Sequence, residues 1–196
     1  TDERKREARR RSIEQVLLSW RTHFSETSML NIEHRMSELH RAPVARLDVA
    51  IVVNEDHHLI DAAFERAFGV SRVAFKLDNP RLLPFMAHRV MAGCRNDFDW
   101  FVYSEDDLVM RDAMLFAKLA AFQKKFGAGR VLQPNRFEGN PRALRPKTFI
   151  DGDLRSSLVE QLWRLAPESE TSLVHETEWG ALRFARARNP HSGFFA

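Results

Sequence analysis

The stretch FVYSEDDLVM sets three consecutive carboxylates, Glu105, Asp106 and Asp107, between two apolar runs. Carboxylates this close repel one another unless positive charge sits among them. A hard divalent cation meets that need. Magnesium and manganese are held by one or two protein carboxylates and complete their shells with water and substrate phosphate. Such an ion stabilises, as a Lewis acid, the negative charge that develops when a phosphate or pyrophosphate leaves. The competing interpretation is a strand end whose carboxylates face water and cap the next helix.

Position favours the cation. The run before Glu105 predicts a buried strand, so the cluster falls at that strand's carboxyl end, followed by a loop and a helix that Asp112 can cap. On an extended chain Glu105 and Asp107 share one face and Asp106 points to the other, unless the chain has already turned. A second polar strand end lies upstream: LDVAIVVNED is a continuous apolar, β-branched run that ends in Asn54, Glu55 and Asp56. Between the two, a helix is expected from Leu59 to Phe68 with Gly69 as its C-cap, a short strand through Val73, Phe75 and Leu77, and a helix from Phe85 to Cys94. The helix after Asp112 runs to Phe126, is broken at Gly127 and Gly129, and gives way to a short strand from Arg130 to Pro134.

The chain opens on an amphipathic helix, because Ile13, Val16, Leu17, Trp20 and Phe24 recur at spacings of three and four. Alternating strands and helices argue for an α/β fold with a mainly parallel sheet covered by helices on both faces. Ligands bind such sheets outside the carboxyl ends of the strands, where both polar clusters fall. The tail from Phe137, punctuated by Pro141, Pro146 and Pro167, reads as loops, short helices and an antiparallel addition. HSGFFA stops inside a strand pattern, and no strand precedes the first helix, so the expectation is a single domain over 1–196 that lacks its first strand and C-terminal part.

With 196 residues, 44% hydrophobic and 29% charged, the chain can bury one sizeable core. No apolar run approaches the roughly 20 residues that cross a bilayer. The expected location is the cytoplasm or the periphery of a membrane face. Cys94 is the only cysteine, which excludes an intrachain disulfide and a multi-thiolate zinc site. A net charge of +3 and the run Arg9, Arg10, Arg11 invite nucleic acid. The basic residues are interspersed with acidic ones and not interleaved with aromatics, so no nucleic-acid partner is expected and the run is read as a solvated helix face.

The segment SEDDLVMRDAMLFAKL resembles the metal strand of GT-A fold glycosyltransferases, in particular the N-acetylglucosaminyltransferase I type, where a hydrophobic strand ends in Glu-Asp-Asp-Leu before a Phe-rich helix. VVNEDHHLIDAAF is similar to that family's second strand and helix, MAHRVMAG to the helix before its metal strand, and NPHSGFF to a later segment near the active site. The likeness covers roughly Leu47 to Phe122. It implies a GT-A-like (Rossmann-like) fold and transfer of a sugar from a nucleotide-sugar donor, such as a UDP-sugar, to a glycan, lipid-linked or protein acceptor with Mn2+ or Mg2+. By the same resemblance Asp107 is the metal ligand. Glu105 and Asp106 contact donor sugar or ribose or hold metal-bound water, Glu55 lies where base or ribose is read, and His88 lies near the nucleotide with Arg89 beside it.

The family's usual base comes beyond a segment like NPHSGFFA. An inverting enzyme needs a carboxylate to deprotonate the acceptor, and Asp151, Asp153, Glu176 and Glu178 are available. The enzyme alternatives are a nucleotidyltransferase or a phosphohydrolase. LDVAIVVNED lacks the Asp-x-Asp nucleophile of a haloacid-dehalogenase-like phosphatase. A non-catalytic nucleotide- or carbohydrate-binding module is the third possibility. His57 and His58 are expected as a helix-starting pair with one ring partly packed and not a metal site, Arg136 and Arg142 as solvated loop residues, Trp179 and Phe184 as core, and Cys94 as inert packing.

Overall fold

A charged first turn and an apolar stripe give α1, Asp2–Phe24, a helix of 23 residues. The computed structural model describes residues 2–25, 27–31, 36–40, 44, 46–55, 57–140, 142–152, 157, 172–178, 180–185 and 193–196. Contacts divide the chain into two compact units, Thr1–Phe116 and Ala117–Ala196.

In the first unit α1 buries Ile13, Val16, Leu17, Trp20 and Phe24, the stripe expected from their spacing. Ile13 and Leu17 join Val53, Ile60, Phe64 and Val70 in one core cluster. Trp20 and Phe24 instead meet Phe116, at ring centroid distances of 6.5 and 4.9 Å. An antiparallel hairpin that no periodic signal announced, β1 (Thr27–Asn31) with β2 (Met36–His40), follows the helix.

The next strands, β3 (Ala50–Asn54) and β4 (Ser71–Phe75), pair in parallel, with Ala50 opposite Ser71 and Asn54 opposite Phe75. Their crossover is α2, Ala62–Phe68. It starts later than Leu59 because Asp61 caps it, its carboxylate accepting from the Phe64 N–H at 2.7 Å. That bond, and then the Arg10 guanidinium, holds the Asp61 carboxyl below its ordinary range. Gly69 ends α2 in the left-handed conformation, φ 57°. Arg21 of α1 donates to the carbonyls of Phe68 and Gly69 at 3.2 and 2.7 Å, tying the two helices together.

The strand expected through Leu77 ends at Phe75, because beyond it the ladder is completed by a side chain. The Asn54 amide donates to the Leu77 carbonyl and accepts from the Leu77 N–H, each at 3.2 Å, so this buried polar group is satisfied. A short 3-10 turn, Pro80–Leu82, capped by Asn79, leads into α3, Leu83–Gly93, none of whose residues is fully buried. The expected strand over FVYSEDDLVM shrinks to β5, Tyr103–Ser104. The chain turns immediately afterwards, the Leu108 N–H bonding the Glu105 carbonyl at 3.3 Å. Helix α4, Leu115–Phe126, then begins beside Asp112, whose carboxylate accepts from the Met114 N–H.

In the second unit the helix end at Gly127 is confirmed by its φ of 80°. The segment from Arg130 to Pro134 is irregular and not the expected strand, since Pro134 lacks an N–H and Arg130 turns its guanidinium back to the Phe126 carbonyl. Two antiparallel hairpins follow, β6 (Phe137–Gly139) with β7 (Lys147–Phe149) and β8 (Ser172–Thr177) with β9 (Gly180–Ala185). They match the antiparallel addition read from the tail. Phe184 packs against Phe122 and Phe126, as its core reading required, and the strand pattern of the last residues appears as β10, Phe194–Phe195. Trp179 lies outside the described residues. The fold is therefore mixed α/β with small two-stranded sheets, parallel in β3 and β4 and antiparallel in the hairpins.

Gly69 combines a positive φ with a close approach, since an added Cβ would lie 3.3 Å from the Arg21 guanidinium. Gly69→Ala is expected to lower stability by about 1–2 kcal/mol, read as a lower urea midpoint at unchanged slope. No loss would mean that α2 does not end in this conformation.

Candidate functional site

The acidic turn is held from one side by α1. Arg9 grips Asp106 with two guanidinium nitrogens, Nε at 3.0 Å and the other on the second carboxylate oxygen, and extends Nη1 to Asp107 at 3.4 Å. Two adjacent carboxylates thus converge on one cationic group, the positive charge that their repulsion demands. All three side chains remain about half exposed, at 50% for Arg9, 41% for Asp106 and 52% for Asp107. Water screens such pairs, and they are each worth about 0–1 kcal/mol.

Two serines of α1 complete the clamp. Ser12 donates to the Asp106 carbonyl at 3.5 Å, and buried Ser19 accepts from the Met110 N–H at 2.9 Å while donating to the Val16 carbonyl. The arginine run is therefore not a merely solvated face. Arg10 pairs with Glu14 and Asp61 and lies over the Phe64 ring, and Arg11 pairs with Glu7. The signal for Arg9 was available only as charge complementarity between RRR and EDD.

On the strand side, Tyr103 stands two residues before Glu105, and the His88 ring of α3 meets it edge-on at 6.1 Å. Phe85 packs on His88 at 6.2 Å. The chain thus gathers His88, Tyr103 and the acidic turn in one neighbourhood. Burial, and after it the charges of Glu105 and Asp106, push the Tyr103 phenol above its ordinary value. Glu55 is exposed at the end of β3, its N–H bonded to the Phe75 carbonyl at 2.9 Å.

Of the candidate bases, Asp151 accepts from both the backbone N–H and the guanidinium of Arg136, closing the β6 and β7 hairpin. That also corrects the reading of Arg136 as a solvated loop residue; Arg142 is exposed. Glu176 is exposed on β8 and Glu178 in the turn after it, while Asp153 lies outside the described residues. His58 is half buried, its Nδ1 accepting from the Ile60 N–H and its Nε2 3.1 Å from Arg72, consistent with a packed histidine. Among the described residues no group of three His, Cys, Asp or Glu side chains gathers as a metal cage, and no helix is long and apolar enough to cross a membrane. A magnesium or manganese ion needs only one or two carboxylates, and Asp106 and Asp107 converge on a cation at a water-accessible turn, so the donor set fits such an ion.

No protein-family model, curated protein or solved structure matches this chain.

Two outcomes follow. Ser19→Ala removes the acceptor for a part-buried N–H and is expected to cost about 1–3 kcal/mol in chemical denaturation. Because Tyr103 is the only tyrosine, ultraviolet titration reads it alone. Its folded-state midpoint should lie above 10.0 and move down in Glu105→Gln. With the folded value raised, this group's stabilising contribution is full below pH 10.0 and is lost as pH rises through the folded value. A midpoint at the ordinary value in the folded protein would contradict the buried, acid-flanked placement.

Proposed function

We propose that this chain carries a metal-dependent glycosyltransferase domain of the GT-A type. It takes a nucleotide-sugar donor, such as a UDP-sugar, and moves the sugar to a glycan, lipid-linked or protein acceptor, acting in the cytoplasm or at a membrane face. The single observation that carries this reading is the convergence of the Asp106 and Asp107 carboxylates on one cation, directly after a strand. The parallel β3, α2 and β4 unit supports the Rossmann-like part of the proposal.

In this reading Asp107 and, beside it, Asp106 hold Mn2+ or Mg2+, and the ion stabilises charge on the departing pyrophosphate. Glu105 contacts ribose, donor sugar or metal-bound water. His88, seated against Tyr103, borders the nucleotide, and Glu55 reads base or ribose. The acceptor's base is assigned to none of Asp151, Asp153, Glu176 and Glu178 individually. A second reading, a non-catalytic nucleotide- or carbohydrate-binding module, is favoured by the neutralisation of Asp106 and Asp107 by the chain's own Arg9. A nucleotidyltransferase or phosphohydrolase would use the same carboxylates on other phosphate substrates.

The test is a thermal-shift panel of nucleoside diphosphates with and without Mn2+, on wild type and Asp107→Asn. A ligand at 100 times its Kd stabilises by about 2.7 kcal/mol, or roughly 5–10 °C for a chain of this size. The expected shift requires Mn2+ and disappears in Asp107→Asn. A metal-dependent shift that survives the substitution defeats the site assignment. Binding without donor turnover selects the non-catalytic module, and hydrolysis of a phosphomonoester without any acceptor selects the phosphohydrolase.

A further inference from the structure

We infer that Arg9 is an internal competitor for the cation at the acidic turn, so that metal uptake and the Arg9 ion pairs exclude one another; this rests on the proposed use of Asp106 and Asp107 as the cation's seat. The guanidinium occupies both oxygens of Asp106 and reaches Asp107 at 3.4 Å. A divalent ion bound through these carboxylates needs the same lone pairs, and like charge opposes both cations at one turn. The bidentate fork suits arginine and not lysine. Two features make the contact exchangeable. Arg9 lies on the part of α1 that precedes its first buried residue, Ile13, so its side chain can leave without unseating the helix. The half-exposed pairs are also individually weak enough for an ion to displace. Ser19 holds the Met110 N–H, two residues beyond the turn, independently of Arg9.

The device sets a threshold. At low cation concentration the turn is closed by Arg9, and above it the carboxylates are released to the ion. The test is titration of Mn2+ alone into the full chain, following the free-ion signal by electron paramagnetic resonance. Variants are Arg9→Gln, Arg9→Lys, Arg11→Gln and Asp107→Asn, each first shown to be folded by circular dichroism. Arg9→Gln should bind Mn2+ about two- to fivefold more tightly, as release of a half-exposed bidentate pair implies. Arg9→Lys should fall between it and wild type. Arg11→Gln removes the same charge from the same helix, where Arg11 pairs with Glu7, and should bind as wild type does.

Equal gains in Arg9→Gln and Arg11→Gln would reduce the effect to net charge and overturn the competition. Unchanged or weaker binding in Arg9→Gln, with wild type binding and Asp107→Asn not, would overturn it while leaving the metal site intact. Failure of every variant to bind Mn2+ would remove the metal site and the competition with it.

Discussion

The seating of α1 on two apolar surfaces is the constraint from which the first unit's geometry follows. Ile13 and Leu17 enter the cluster of Val53, Ile60, Phe64 and Val70, whereas Trp20 and Phe24 meet Phe116. Each such side chain contributes roughly 1.5–3 kcal/mol when fully buried, far more than any polar contact the helix makes. The hydrophobic stripe therefore fixes the helix, and the polar groups take the positions that it leaves them. Ser19 reaches Met110, Arg21 reaches the end of α2, and Arg9 reaches the acidic turn as by-products of one rotation about the helix axis.

The acidic turn poses one electrostatic problem with two solutions of different character. An internal guanidinium neutralises the carboxylates wherever the protein goes. An external ion does so only where it is abundant, but brings open coordination positions that a phosphate can fill. The Arg9 pairs are shallow enough to give way to the proposed catalytic use. A deeply buried pair would not be, because separating it would leave an uncompensated charge.

Legibility in the sequence followed the range of the interactions involved. The stripe of α1, the apolar run of β3, the glycine that ends α2 and the helix after Asp112 are written in spacings of a few residues, and each appears where expected. The contact that defines the candidate site joins residues 97 apart, and no local period encodes it. Strand length was misjudged for a related reason. The apolar run after Trp100 says that the chain is partly buried, but the Leu108 N–H on the Glu105 carbonyl makes a turn that hydrophobicity does not register. The side chain of Asn54, standing in for a peptide group opposite Leu77, likewise ended β4 sooner than its alternation suggested.

The two ends of α1 answer to different physical variables. The half from Ile13 onward is fixed by buried apolar area, which dissolved salt scarcely weakens and its more strongly excluded forms strengthen. The half before it presents only charged and other exposed or part-buried groups, whose attractions fade over a Debye length of about 10 Å at 0.1 M. Ionic strength therefore loosens one end of a single rigid rod while leaving the other clamped. The helix responds to its medium as a cantilever does, with its free tip over the acidic turn.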